Sequence, residues 1–256
     1  MERFAIALGV MTSVSPFALG GVVQTLDFET EDDFLTPLVN GQAVSSPTTF
    51  GHLVNINAFG MNNLGAAIFD TTPGGPNAGS QDPDLLVGLG NVLILQSTDA
   101  PTQSSPGIFD SPNDSLQGGT FMFDFINPVE MLSVKLIDVD ADNDVLVTMV
   151  DMDGRVRIYS VPEGWSYDVD AQGPDGYDTL DLTTLSAQIG EGGATATAFE
   201  DDGFDAQHVS TVFFEFSGSG ALDDVSFIVV PTPGVAGLLA LAGGASLVRR
   251  RRARPE

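Results

Sequence analysis

The stretch TFMFDF, residues 120–125, decides the fold class, because its aromatic rings occupy every second position. Successive side chains of an extended strand point to opposite faces, so the rings of Phe121, Phe123 and Phe125 share one face. Three large apolar groups on one face predict burial in a hydrophobic core. The stretch is therefore expected to be a β-strand with one side packed inside the protein.

Similar short stretches follow one another along the chain between residues 21 and 230. An Asn127-Pro128 turn is expected after the strand at 120–125. Asp153-Gly154 is a two-residue hairpin signal between the strands at 145–151 and 155–161. Long loops are expected over 71–84 and over most of 162–205, with one strand near 177–182 inside the second. Apolar or alternating stretches bounded by turn residues predict ten strands, at 22–28, 53–58, 66–69, 92–96, 120–125, 131–138, 145–151, 155–161, 209–216 and 221–229.

No helical periodicity interrupts this region, so the predicted fold is all-β, a single antiparallel jelly-roll-like β-sandwich over residues 21–229.

The 256 residues include no Cys, which excludes disulfide scaffolds, thiolate enzymes and Cys-ligated zinc proteins. Residues 21–230 hold 3 basic and 33 acidic residues, a formal charge of −30. Such a body repels phosphate backbones and anionic lipid, and it attracts divalent cations or basic partners. Nucleic-acid binding is therefore excluded.

Residues 1–20 have the layout of a secretory signal peptide with an N-terminal signal helix. Arg3 precedes an apolar run over 4–11, and the small-residue pattern Ala18-Leu19-Gly20 predicts cleavage after Gly20. The alternative is a buried first strand or helix of the fold itself.

Residues 234–248 are uncharged and predict a C-terminal hydrophobic helix, followed by Arg249, Arg250, Arg251 and Arg252. At about 1.5 Å per residue the helix would measure about 22 Å, against a hydrocarbon core of about 30 Å. Snorkelling arginines and local thinning of the bilayer make up the difference, which predicts a weak transmembrane anchor. Arginines beside a spanning helix stay in the cytoplasm, so the body would lie outside it. The alternative is a terminal amphipathic helix packed on the core.

The last 27 residues, 230–256, combine three parts in a specific order: Pro231-Thr232-Pro233, the short Gly/Ala/Leu helix and the arginine run. This order resembles a PEP-CTERM sorting signal, in a Pro-Thr-Pro variant because Thr232 stands where the most familiar form has Glu. The resemblance implies a bacterial exported protein whose tail is recognised by an exosortase, a membrane cysteine protease-like transpeptidase. The tail would lie at first in the inner membrane.

Two acidic sets are candidate structural Ca²⁺ sites. Asp27 and Glu29 lie on the first predicted strand, and Asp223 and Asp224 lie on the last. The sequences around them, 26–29 and 220–225, resemble the edges of galactose-binding-like and carbohydrate-module jelly rolls. That resemblance implies that the two strands lie side by side and that their acidic residues hold Ca²⁺ through oxygen ligands. The alternative is a pair of strand ends with solvated carboxylates.

The other candidate set is Asp138, Asp140, Asp142 and Asp144, whose spacing resembles the first half of a calcium loop. The glycine at position six and the bidentate glutamate at position twelve are missing, which excludes an EF-hand. A hairpin turn that keeps its carboxylates in water explains the same residues.

Four aromatic residues are candidates for glycan contact: Tyr159, Trp165, Tyr167 and Tyr177. Such rings combine an apolar face with a polar tip, which suits a sugar platform and equally suits the roof of a core. Neither histidine lies in a catalytic motif. We therefore expect an exported, surface-anchored, non-catalytic protein of the cell envelope or extracellular polymer matrix, adhesive or structural, Ca²⁺-stabilised and glycan-binding. The alternative is a secreted polysaccharide-active hydrolase with paired carboxylates in a cleft.

Overall fold

A computed structural model of the chain describes residues 21–44, 49–60, 62–139, 143–167 and 176–231. Thirteen strands lie within these residues: β1 (Val23–Leu26), β2 (Ala43–Val44), β3 (Val54–Phe59), β4 (Asn63–Asp70), β5 (Asn91–Ser97), β6 (Gly119–Ile137), β7 (Val145–Asp151), β8 (Val156–Val161), β9 (Tyr177–Asp181), β10 (Gln188–Ile189), β11 (Thr195–Glu200), β12 (Val209–Phe216) and β13 (Ala221–Val229). A single-turn 3₁₀ helix spans Pro83–Leu85.

The strands form one continuous antiparallel sheet whose two arms are joined by β6. One arm continues from β6 through β12, β7, β8, β11 and β10, and the other through β13, β5, β4 and β2. In addition, β1 pairs with β13, while β3 and β9 pair with β6. One hydrophobic core contains side chains from both arms. The prediction of an all-β, antiparallel, sandwich-like fold is therefore confirmed.

The central strand β6 is longer than the sequence predicts, because no turn forms at Asn127-Pro128. Its first half pairs with β3 and β12, and its second half pairs with β13 and β9. Pro128 lies where the neighbours change: the pairing with β3 ends at Phe125 and the pairing with β13 begins at Val129. A proline donates no hydrogen bond to a ladder, and here its position falls in a gap between two ladders. The strand therefore continues through it.

The rings of Phe121, Phe123 and Phe125 are all buried in the main core, as their alternation predicts. Each makes an edge-to-face contact with another phenylalanine. The partners are Phe216 for Phe121, Phe214 for Phe123 and Phe227 for Phe125, at centroid distances of 6.0, 5.2 and 4.9 Å. These aromatic pairs connect β6 to both of its principal neighbours, β12 and β13.

A second, smaller core lies on the opposite face of β4 and β5. All seven residues of β5 are buried, so the strand is covered on both sides. The cover over this face includes Leu85, from the 3₁₀ turn, and Phe109, from the segment between β5 and β6. The long loops predicted as simple connections thus pack onto the sheet and bring their polar residues together at its edge.

The acidic, glycine-rich region over 162–205 contains more strand than expected. The strand expected near 177–182 is present as β9, but β10 and β11 lie in the part expected to be loop. β11 pairs with β8, so the alternating residues of TATAFE extend one arm of the sheet. Within the described ranges no helix has the length and apolarity needed to cross a membrane.

Candidate functional site

Three buried carboxyl groups from distant parts of the chain meet at the edge of the second core. Asp82 precedes the 3₁₀ turn, Asp114 lies in the loop before β6, and Asp138 directly follows β6. These residues are 4%, 1% and 1% exposed. Asp138 has a φ of +61°, in the left-handed region that few residues other than glycine adopt. The packing of the two covering loops therefore places acidic groups where water barely reaches.

Hydrogen bonds connect the three carboxyl groups to the segment before β13. The Ser219 hydroxyl lies within hydrogen-bond distance of Asp114 Oδ2 and of Asp138 Oδ2. The backbone N–H of Gly220 donates to Asp114 Oδ2 at 2.7 Å, and that of Asp114 donates to Asp82 Oδ2 at 3.0 Å. Within the described part of the chain, no donor reaches Oδ1 of Asp114. One oxygen of the most central carboxyl group is thus buried without a hydrogen bond.

Burial raises the pKa of both Asp82 and Asp114, because a charged carboxylate is poorly solvated there. The neighbouring Asp114 carboxyl raises the pKa of Asp82 further. Hydrogen bonds from Ser219, from the Asp82 side chain and from the Gly220 N–H lower the pKa of Asp114 but do not outweigh its burial. The cluster therefore favours a bound proton or another positive charge over two bare carboxylates.

An open cavity of about 280 Å³ adjoins this cluster. Its polar lining comes from Gln81, Asp82, Asp84, Asp138, Asn143 and Ser219. Among the residues that the structure describes, no three Asp, Glu or His side chains already stand as ready-made ligands around one point. The site is thus an oxygen-lined cavity over buried carboxyl groups, not a preformed coordination shell. We call it the acidic cavity.

The first set of predicted calcium ligands lies on neighbouring strands, since Leu26 of β1 is paired with Val225 of β13. This adjacency of first and last strands is what the jelly-roll resemblance implies. Asp27 makes a local contact, since its Oδ1 accepts the Glu29 N–H at 3.0 Å, whereas Glu29 Oε1 accepts the N–H of Asn91 at the start of β5, at 2.8 Å.

Asp223 and Asp224 of the same set share one ammonium group. Lys135 Nζ lies 2.5 Å from Asp224 Oδ2 and 3.3 Å from Asp223 Oδ2. Burial lowers the pKa of Lys135, but the contacts with the two carboxylates outweigh it and leave that pKa raised. Burial, reinforced by Asp224, raises the pKa of Asp223 to about 7. The pKa of Asp223 stays raised because burial and the neighbouring Asp224 outweigh the opposite effect of Lys135.

This arrangement predicts a pH-dependent stability. The pKa of Asp223 is about 7 in the folded state and about 4 in an unfolded chain, so between these values the folded state keeps a proton that the unfolded state releases. The Asp223 contribution to the free energy of unfolding should therefore fall as pH rises from about 4 to about 7. Urea unfolding of the wild type and of Asp223→Asn across this range isolates the effect, because the variant lacks this titration. A difference between the two proteins that stays constant with pH would contradict it.

The second predicted set is divided by the structure. Asp138 joins the acidic cavity, whereas Asp144 is exposed and its N–H donates to the Ser217 hydroxyl at 2.8 Å. Asp140 and Asp142 lie outside the described residues.

The candidate aromatic residues fall into a buried pair and an exposed pair. Tyr159 and Trp165 are each 1% exposed and belong to the main core. The Tyr159 hydroxyl donates to the carbonyl oxygen of Leu182 at 2.8 Å, and the Trp165 ring N–H donates to that of Gln188 at 3.4 Å. Their polar tips are therefore satisfied inside the protein, and their rings present no face to a ligand.

Tyr167 and Tyr177 are 37% and 41% exposed. The ammonium of Lys135 lies 5.4 Å from the centroid of the Tyr177 ring, within the range of a cation–π contact. These two rings are the members of the aromatic set that a solvent-borne glycan can reach.

Pro231 is the last described residue of the predicted sorting signal. Thr232, Pro233, Arg249, Arg250, Arg251 and Arg252 lie outside the described residues, as do the signal peptide over 1–20 and the hydrophobic helix over 234–248.

Sequence reasoning missed Asp82, which lines the acidic cavity, and Asp114, which is hydrogen-bonded to Asp82 and Ser219 beside it. They lie in different loops, 32 residues apart, and neither belongs to a spaced motif. With 33 acidic residues in the body, no local pattern distinguishes these two. A scan against protein-family models finds no match, and a search of curated proteins finds no similar protein.

Proposed function

We propose that this chain is an exported, surface-anchored, non-catalytic protein with an adhesive or structural role in the cell envelope or extracellular polymer matrix. The observation that carries the proposal is the charge of the body. Its three basic residues, Lys135, Arg155 and Arg157, are each bound to carboxylates. The remaining acidic residues therefore give the protein a strongly anionic surface, which suits crosslinking through divalent cations or contact with a basic partner.

The resemblance of residues 230–256 to a PEP-CTERM signal supports the location. An arginine run held in the cytoplasm would place the body on the outer side of the inner membrane, where an exosortase-type enzyme would process the tail. The signal peptide over 1–20 requires the same orientation.

The proposed mechanism is adhesion by a stiff acidic scaffold. A jelly-roll arrangement of the sandwich-like sheet belongs to this proposal and is supported by the pairing of β1 with β13. Ca²⁺ would relieve the self-repulsion of the carboxylates. Tyr167 and Tyr177 would supply exposed rings for stacking against the polysaccharide of the matrix.

A secreted polysaccharide-active hydrolase is the alternative. The neighbouring carboxyl groups of Asp82 and Asp114 favour it, since glycosidases use a pair of carboxyl groups, one of them with a raised pKa. Both groups are almost completely buried, however, whereas a glycosidic bond must reach both. We therefore rank the non-catalytic role first.

The proposal predicts that the body is outside the cytoplasm and that its retention depends on the arginine run. The full chain and a variant with Arg249 to Arg252 replaced by Ser are expressed in a bacterium that makes an exosortase and an extracellular polymer. Protease added to intact cells should digest the wild-type body, and the wild type should co-fractionate with envelope and polymer. The variant should shift between membrane, polymer and medium.

Unchanged fractionation of the variant would contradict the sorting assignment, and a body protected inside intact cells would contradict the proposed location. Reducing sugars measured in the same polymer fractions distinguish the two functions. Their release in proportion to the protein would favour the hydrolase, and binding without release would favour adhesion.

A further inference from the structure

A second open cavity, of about 310 Å³, lies next to the acidic cavity, and Gln81 lines both. It lies between the loop before the 3₁₀ turn and the segment between β5 and β6. The rings of Pro76 and Pro112 contribute apolar surface. Its polar lining comes from Asn77, Ser80, Gln81, Asp110, Ser111 and Asn113. We call it the amide cavity.

Two buried asparagines, one from each segment, give the amide cavity fixed walls. Asn77 and Asn113 are 5% and 7% exposed. The side-chain amides of Asn77 and Asn40 exchange two hydrogen bonds, at 2.7 and 2.9 Å. The backbone of Asn113 is bonded to the end of β5, since its N–H donates to Gln96 Oε1 at 3.2 Å and its carbonyl oxygen accepts the Ser97 N–H at 2.8 Å. The cavity is therefore preformed, as ligand sites usually are.

The side chain of Asn113 has hydrogen-bonding capacity that the protein does not use. Its Oδ1 is buried and receives no donor from the described residues. Its Nδ2 makes a long hydrogen bond, 3.5 Å, to the neighbouring carbonyl oxygen of Asp114. A buried polar atom without a partner is unfavourable unless water or a ligand supplies the missing group. Because the amide is weakly held, a rotation would present its oxygen to a donor inside the cavity that it lines.

The lining restricts the chemistry of a ligand. Among the described residues around the cavity, Asp110 is the one acid and there is no base. The backbone N–H of Ser104 donates to Asp110 Oδ1 at 2.8 Å and lowers the pKa of that carboxyl group, which is therefore ionised at neutral pH. Its negative charge repels anionic ligands, and a single carboxylate among neutral groups holds a divalent cation poorly. Amides and hydroxyls instead suit a neutral molecule that both donates and accepts hydrogen bonds.

We propose that the amide cavity binds one neutral sugar unit, at the end or on a branch of a glycan. Sugar hydroxyls would donate to Asn113 Oδ1 and to the Asp110 carboxylate. They would accept hydrogen bonds from Gln81 and Ser111, which are exposed at the rim. A volume of about 310 Å³ holds about ten waters at roughly 30 Å³ each, which is close to the space that one hexose takes.

The inference rests on the glycan-binding part of the proposed function and gives it a location. The exposed rings of Tyr167 and Tyr177 offer stacking surfaces, which accept many sugars. The amide cavity offers directional hydrogen bonds, which fix the orientation of a ligand and select among ligands. The cavity would therefore select a neutral glycan over an acidic one.

The test applies the full chain, purified in mild detergent, to an array of neutral oligosaccharides and of oligosaccharides of uronic acids. Neutral glycans should bind, and uronic-acid glycans should not. The neutral oligosaccharide with the strongest signal is then titrated by isothermal calorimetry, where one site per chain is expected. Asn113→Ala should weaken this binding about threefold to tenfold, the usual effect of one lost hydrogen bond.

Asn91→Ala is the matched control, because Asn91 is 8% exposed and lies outside the cavity lining, where its amide donates to the Leu38 carbonyl oxygen at 3.3 Å. It should bind the oligosaccharide as the wild type does. If Asn113→Ala does not fold, Gln81→Ala at the exposed rim serves in its place and should weaken binding about threefold.

Absence of neutral-glycan binding by the wild type, or unchanged affinity in the cavity variant, would overturn the proposal. In the second case, loss of binding in Tyr177→Ala would place the glycan at the exposed rings and leave the proposed function standing. A body found inside the cytoplasm by the protease test would contradict the proposed function without changing these affinities.

Discussion

Replacing Lys135 with Met is expected to lower the free energy of unfolding by about 3 kcal/mol, near the low end of the range for removing one partner of a buried ion pair. Methionine keeps much of the apolar stem but leaves Asp223 and Asp224 facing each other without a cation. The side chains of Lys135 and Asp223 are 14% and 5% exposed, so water compensates little. Asp224 is 42% exposed, which limits the loss. Urea unfolding at neutral pH measures the change.

Two further variants separate this electrostatic cause from a loss of packing. Arg155→Met removes a more exposed cation, which binds the exposed Asp153 and lies 3.7 Å from the buried carboxylate of Asp151. Because three backbone N–H groups still donate to Asp151, this variant should cost about 1 kcal/mol or less. Adding Asp223→Asn to Lys135→Met removes the surplus buried charge and should restore part of the lost stability. Equal losses for Lys135→Met and Arg155→Met, or no recovery in the double variant, would show that the shared ammonium has no special role.

The sequence predicts the strands well because alternation is a local property that tertiary packing reinforces. The strands β7, β12 and β13 begin and end where the pattern of apolar residues does. The pattern fails at Pro128, where the turn signal is local but the outcome depends on which strands lie on either side. It also fails at β11, whose residues become a strand by pairing with β8.

The acidic cavity could not be predicted in the same way. Asp82 of its lining and the adjoining Asp114 come from two irregular loops, and their meeting depends on how Leu85 and Phe109 pack on the outer face of β5. That face is itself recognisable from sequence, since the middle of NVLILQS is a run of four apolar residues, VLIL at 92–95, which is typical of a strand covered on both sides. The loops that cover this face reach it through long-range contacts, which the periodicity of a single sequence does not reveal.

The predicted calcium ligands on the first and last strands also depend on a long-range contact that the sequence does not reveal. The resemblance at the first and last strands implies their adjacency, which the pairing of β1 with β13 provides. It does not imply Lys135, which comes from β6 and places an ammonium group against Asp223 and Asp224. Whether a set of acidic residues is free to bind a cation therefore also depends on the basic side chains that another strand places beside them.

Phe123 lies in the main core, which contains side chains from both arms of the sheet. Its strand β6 has a neighbour on both sides at this point, with Phe123 opposite Ile56 of β3 and opposite Val212 of β12. Its ring is fully buried and lies 5.2 Å from that of Phe214, at an interplanar angle of 80°. A cavity at this position cannot collapse easily, because strands on both sides hold the backbone in place.

Phe123→Ala should therefore lower the free energy of unfolding by about 3–5 kcal/mol, the range for truncating a buried aromatic side chain. Phe199→Ala is the matched control: Phe199 is 57% exposed on β11, and its truncation should cost well under about 1 kcal/mol. Urea unfolding followed by circular dichroism measures both. Because one core contains residues of both arms, Phe123→Ala should shift a single transition to lower urea. Two separate transitions, or equal losses for Phe123→Ala and Phe199→Ala, would mean that the arms are stabilised independently of β6.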